Sequence, residues 1–281
     1  RQEDFIFNTT YHLINLMASI SAVTSPIISY AKDLGANDTI AAAIPWFFIW
    51  HGVFWLSTLL SPVLFETYSK LDNPTKSYWS ASVVSTVHAI FIVVWAIQAF
   101  PTIDIRGTDS IYTTSDESAE LNVIFIGYLL SDLLLAVIYT SDWAGWQANL
   151  IHHITGIFCW YLMNEGTFGH SISLCAMITE ITTPFVNQRF FFDKASMKEG
   201  NLYVVNGILM TLLWFIFRVV LFGWLGFRLF EMRASMMTLP PLYLGAAFFS
   251  YAVGYALQLF WFSKILKGAL KVVFGAKNKK N

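Results

Sequence analysis

The chain has 281 residues, of which 56% are hydrophobic, 17% aromatic and only 12% charged, about half the charged share of an ordinary soluble domain. A mean hydropathy of +0.55 makes lipid the natural solvent for most of this surface. A formal net charge of -1 gives no basic face to a nucleic acid, and two cysteines inside apolar runs, Cys159 and Cys175, supply neither a disulfide framework nor a four-ligand zinc site.

Measured against the roughly 20 residues a helix needs to cross a bilayer, candidate spans fall at 11–31, 39–65, 78–100, 122–141, 149–163, 171–186, 202–226 and 240–265. The first carries His12, Asn15, five Ser or Thr residues and Pro26, and suits an interfacial position as well as a crossing one. The runs 149–163 and 171–186 are short for the hydrocarbon thickness and should stand with little tilt. Connections are short except the acidic segment 101–121. The pattern predicts an all-α polytopic bundle of about seven to eight transmembrane helices. It divides into an N-terminal segment 1–38 that offers an extra membrane helix, a membrane domain 39–272 and a basic tail 273–281.

Cytoplasmic ends of membrane helices hold an excess of Lys and Arg. With the C-terminus inside and every span crossing, 12 cations fall on the inner side, against 4 outside: Lys32, Arg106, Arg228 and Arg233. The remaining cation, Arg218, lies within a span, and the same orientation puts it in the outer half of its helix. There it should pair with Glu165, Glu231 or a lipid phosphate, closing the bundle on the luminal side.

Ionisable groups inside spans are costly and mark candidate functional sites. Asp132 sits in GYLLSDLLL, His152 and His153 in LIHHITG, and Glu180 in AMITEITTPFVNQRFFF; His51 and His88 complete the set. At about 1.5 Å per residue, Asp132, His152 and Glu180 lie roughly 13, 5 and 9 Å from the cytosolic boundary. Two acids and two imidazoles then share the cytosolic half of three consecutive helices, where a polar cavity is expected.

Several stretches carry a family resemblance: YWSASVVSTVHA (78–89), GYLLSDLLL (127–135), the His152–His153 pair, TEITTPFVNQRFFF (179–192), VNGILMTLLWFIFRV (205–219) and WFSKILKGALKV (261–272). Over about 41–272 the chain resembles the TLC-domain family, the membrane domain shared by the TRAM proteins, the ceramide synthases and a group of small TLC domain-containing proteins. The resemblance implies a TLC-type bundle of about seven core helices, with a hydrophobic central cavity open to the cytosolic leaflet. It also implies a histidine acting as a base on an amine or thioester adduct in the synthase branch. Those enzymes follow the His pair with a D-x-x-D acid pair; here the corresponding helix offers Glu180 and, three residues on, Thr183.

Each candidate has a structural alternative. Adjacent helical histidines point about 100° apart, so they are poor joint metal ligands and no metal is expected. One is a candidate base and the other an interhelical hydrogen bonder. Asp132 and Glu180 are candidates for proton transfer, or else for plain pairing with a histidine or with Arg218. Asn187 and Arg189 suit a phosphate or carboxylate, or an interfacial anchor. Pro184, with Thr182 and Thr183, should end or kink its helix, and Phe190–Phe192 read as an aromatic belt.

The leading expectation is lipid handling: binding or homeostasis of fatty-acyl or sphingolipid-like lipids, without catalysis. His152, His153, Glu180, Thr183, Asn187 and Arg189 would line the lipid site. The alternatives are an acyltransferase of ceramide-synthase type using His152, His153, Asp132 and Glu180, and a lipid-filled structural subunit of a larger membrane complex. No cofactor is expected, and acyl-CoA enters only as the co-substrate of an enzyme. The expected partners are membrane lipids and, for the third reading, another membrane protein, with no nucleic acid. The terminal KNKKN matches a dilysine retrieval signal and points to the endoplasmic reticulum. A chain that begins at Arg1 also fits a removed leader and the mitochondrial inner membrane.

Overall fold

The computed structural model describes residues 19–275, with side chains to residue 271. Arg1, His12, the start of the 11–31 run and the dilysine tail lie outside the described residues. Residues 19–33 are helical (α1). They are followed by α2 (Asp38–Leu64), α3 (Glu66–Ser69), α4 (Asn73–Ala99), α5 (Asp116–Ile138), α6 (Trp146–Glu165), α7 (His170–Ile178), α8 (Thr183–Lys194), α9 (Asn201–Leu213), α10 (Leu221–Glu231), α11 (Arg233–Met236) and α12 (Pro241–Gly275). No strand occurs among the described residues.

Local chemistry sets the helix starts. The Asn37 side chain accepts the Ile40 N–H, Asp72 accepts the Thr75 N–H, and Ser115 and Ser118 form a reciprocal capping box at the head of α5. The starts of α6 and α7 instead use Gly145 (φ 77°) and Gly169 (φ 73°), in the left-handed region that glycine enters without steric cost.

Five helices are long and apolar enough to cross a bilayer: Asp38–Leu64, Asn73–Thr102, Asp116–Ile138, Asn201–Glu231 and Pro241–Lys271. They define an integral membrane helix bundle. Two of the remaining runs, 149–163 and 171–186, are longer than their apolar cores suggest. α6 has 20 residues. α7, a 3₁₀ turn at Thr179–Thr182 and α8 form one helical path over 170–194, about 37 Å at 1.5 Å per residue. The short spans expected at 149–163 and 171–186 are therefore corrected. Polar residues at the ends of these helices, among them Asn149, Asn164, Asn187 and Arg189, truncate the hydropathy signal without breaking the helix.

α5 is the hub: 67% of its apolar window is buried, against 22% for α2 and 17% for α12. Trp46, Trp50, Phe54, Ile92, Phe125 and Leu129 form the main apolar core around it. The outward faces are equally apolar, as at Val63 (82% exposed) and Leu59 (71%), a surface suited to acyl chains and not to water. The α2–α3, α5–α6 and α8–α9 connections gather at one end with the second half of α12. This end carries Lys70, Lys76, Lys194, Lys198 and Lys264 and is termed the basic end. At the opposite end, residues 100–115 pack over the bundle: Gly169 donates its N–H to the Ile111 carbonyl (2.6 Å), and Arg228 donates to the Gly107 carbonyl (2.7 Å).

Candidate functional site

A cavity of about 840 Å³ opens at the basic end between α4, α5, α6, α8, α9 and α12. All seven residues singled out from sequence line it: Asp132, His152, His153, Glu180, Thr183, Asn187 and Arg189. Helical spacing accounts for the convergence, since Glu180, Thr183 and Asn187 recur at intervals of three and four on one face of the 170–194 path. The two other histidines noted within spans, His51 and His88, lie outside this cavity. His51 faces Ser131 (3.4 Å), and His88 is fully enclosed, stacked on Tyr128 at 3.7 Å between ring centroids.

The polar groups form two separate pairs. His153 Nε2 lies 3.4 Å from Asp132 Oδ2, with the two side chains 9% and 15% exposed. Its Nδ1 is buried and has no hydrogen-bond partner among the described residues. His152 turns away, as the 100° offset requires: its ring sits 5.5 Å from that of His153 and edge-on to Trp261, also at 5.5 Å.

The second pair corrects the expectation for Arg218. Its Nη2 donates to Glu180 Oε1 (3.0 Å) and to Thr183 Oγ1 (3.1 Å), Nε donates to Thr182 (2.6 Å), and Nη1 reaches Gln258 Oε1 (3.3 Å). Thr183 in turn donates to Glu180 Oε2 (2.6 Å), and the guanidinium lies over Trp214 at 4.7 Å. Glu231, offered as a counter-charge, pairs with Arg228 instead. The depth estimate failed because α8 runs on to Lys194, which places Glu180 roughly 21 Å from the end of that helix and near mid-bundle. Arg218 also lies on a π-helical turn, Trp214–Val220, inserted between α9 and α10. Such turns hold an extra residue and redirect side chains, and this one carries a buried guanidinium.

Pro184 stands in the first turn of α8, where its missing N–H costs nothing, so the chain kinks through the 3₁₀ turn and continues. Asn187 ties α8 to α4, donating to the Ser82 carbonyl (3.0 Å), Ser85 (3.1 Å) and Thr86 (2.9 Å). Phe190 and Phe191 pack on Tyr78 (4.9 Å) and Trp79 (4.6 Å) of α4. Gln258, Trp261 and Lys264 on α12 also line the polar cavity or hold Arg218, and sequence reasoning passed over them. A glutamine inside the apolar run YALQLFW was the available signal.

A narrower cavity of about 100 Å³ leads away from this chamber toward the opposite end. Phe125, Leu129, His152, Glu180 and Arg218 line both spaces. The walls of the second are apolar, with Gly156, Met163, Ile172, Ala176 and Leu225, and it reaches Ile111 and Phe168. Cys159 faces the same space, and both cysteines are free thiols. No group of three or more His, Cys, Asp or Glu side chains placed to hold a metal ion occurs among the described residues.

Fold and cavity together define a polytopic membrane helix bundle with a polar chamber joined to an apolar sleeve. The chain belongs to the TLC-domain family, whose TLC domain model matches residues 78–267. It is similar to TLC domain-containing protein 4-B of Xenopus laevis, 31% identical over 234 residues, covering 81% of this chain and 86% of the relative. It is also similar to TLC domain-containing protein 4 of Homo sapiens (29% over 228 residues, 78% and 83% covered) and to protein 4-B of Danio rerio (30% over 228 residues, 78% and 84%).

Proposed function

We propose that the protein binds a fatty-acyl or sphingolipid-like lipid, with the headgroup in the polar chamber and one acyl chain directed into the sleeve, whose walls must part to admit more than its first few methylenes, and so takes part in membrane lipid homeostasis without making a covalent bond. The observation that carries this reading is the junction: His152, Glu180 and Arg218 stand where a polar space of about 840 Å³ meets an apolar one. His152, His153, Glu180, Thr183, Asn187 and Arg189 supply the polar wall. No cofactor is required.

Engagement of Glu180 supports the non-catalytic reading. Both of its oxygens are occupied, one by Arg218 and the other by Thr183, which stands where the synthase branch has its second acid. A carboxylate held this way is a poor proton carrier. One observation favours the alternative, an acyltransferase of ceramide-synthase type with acyl-CoA as co-substrate: Asp132 and His153 retain the geometry of an acid orienting an imidazole.

We place the basic end in the cytosol, on the asymmetry of Lys and Arg, and propose the endoplasmic reticulum as the membrane. The mitochondrial inner membrane is the alternative location. Purified protein incubated with a long-chain acyl-CoA and a sphingoid amine should yield no acylated product while retaining co-purified lipid. An acylated product that disappears in His152→Ala/His153→Ala would replace this reading with the acyltransferase.

A further inference from the structure

Two cations stand at the mouth of the chamber, and the group that Arg189 contacts there is still unspecified. Arg189 on α8 and Lys264 on α12 both line it, and neither has a carboxylate within ion-pair distance among the described residues. The acid nearest in sequence, Asp193, lines the same mouth but is held by Lys198. Both cations are braced. The Arg189 guanidinium lies 3.9 Å from the Tyr203 ring, and its Nη1 donates to the Tyr203 carbonyl at 3.3 Å. The Lys264 ammonium lies 4.1 Å over Phe260. Gly207 makes room for the first of these, because a Cβ there would come within 2.6 Å of Arg189 Nη1.

A cation serving only as an interfacial anchor extends into the headgroup layer and does not need to be held across a ring inside a cavity. Here the bracing fixes a half-buried planar fork, leaving Nη2 and Nε of Arg189 without a hydrogen-bond partner among the described residues, with a second positive charge lining the same mouth from α12. A guanidinium fork matches the oxygens of a phosphate two at a time, and an added ammonium suits the charge of a phosphoester better than that of a single carboxylate.

We propose that Arg189 and Lys264 form a phosphate site, which makes the bound lipid a phosphorylated one, of the lysophosphatidate or phosphatidate class, with its chain in the sleeve. This rests on the lipid-binding reading above. The phosphate docks between α8 and α12 at the basic end, and the glycerol backbone passes the two histidines.

The test is competitive lipid binding to the full chain in detergent micelles, read by native mass spectrometry. Lysophosphatidate and monoacylglycerol of the same chain length compete, so that only the phosphate differs. The parent should prefer lysophosphatidate by about tenfold or more, and Arg189→Gln/Lys264→Gln should lose that preference. Should the double variant fail to fold, Lys264→Gln alone, at an exposed position, should show a partial loss of preference. Binding of monoacylglycerol with no preference for the phosphorylated lipid overturns the phosphate site alone. Binding of neither overturns the lipid reading with it. Inorganic phosphate or free coenzyme A bound as tightly as lysophosphatidate overturns the assignment to a lipid headgroup.

Discussion

At the scale of single residues, the energetics concentrate on Arg218. An unpaired guanidinium in hydrocarbon costs at least about 2.5 kcal/mol. Here Thr182, Thr183, Glu180 and Gln258 accept from it at once. Removing one member of a buried pair strands the other, so Arg218→Met and Glu180→Gln should each lower stability by about 3 kcal/mol, read as a fall in thermal midpoint in detergent. The double variant should lose clearly less than the sum, because the stranded charge is then gone; strictly additive losses would show that the two groups do not act as a pair. The members of the site were legible in the sequence, since acids and imidazoles stand out inside apolar runs. Pairing with a histidine or with Arg218 was one of the two readings for each acid, and the fold adopts it for both, Asp132 with His153 and Glu180 with Arg218; the depth of the second pair in the bundle was not readable. Taking Glu180 as six residues from the helix end put it well away from Arg218, and a π turn leaves no mark in residue type.

At the scale of elements, close helix approach replaces the hydrophobic drive that lipid cannot supply. Gly127 of α5 faces α2 so tightly that a Cβ would meet Trp46 Cβ at 2.5 Å and the Ala43 carbonyl at 2.8 Å. Both atoms are rigid, so Gly127→Ala should cost about 1–3 kcal/mol. Gly156→Ala should cost less, because the obstacle there is a single Leu129 methyl at 2.9 Å that can rotate. Thermal unfolding of the two variants side by side checks the difference, and equal losses would mean that the α2–α5 contact is looser than described. Helix positions were mostly readable from hydropathy, and the long connection appeared, but it is shorter than the expected 101–121 because α5 already starts at Asp116. The ends of α6 and α8 were not readable, because Asn164, Asn187 and Arg189 read as polar boundary residues, whereas in the fold Asn164 reaches Thr39, Asn187 reaches α4 and Arg189 reaches Tyr203.

At the scale of the whole molecule, the bundle is apolar on the outside, aromatic around α5, and carries a polar internal path that opens at the basic end. That path narrows from a chamber lined by Asp132, His152, His153, Arg189 and Arg218 into a sleeve lined by Gly156, Ile172, Ala176 and Leu225. A channel for water or ions would stay polar along its length, whereas an amphipathic lipid matches the change. Residues 100–115 cover the far end, where Ile111 and Phe168 meet. A bound chain would therefore enter from the basic end or between helices.

The central claim is that a lipid chain occupies this sleeve. Ala176→Phe and Thr155→Phe place a ring into it from opposite walls, α7 and α6, leaving the polar chamber unaltered. The deciding measurement is native mass spectrometry of the parent and of whichever variants keep the parent's elution profile and helical content, purified identically from the same cells. The parent should carry a stoichiometric lipid, and each folded variant should carry several-fold less of it. Folded variants that retain the same lipid at the same occupancy would contradict the account.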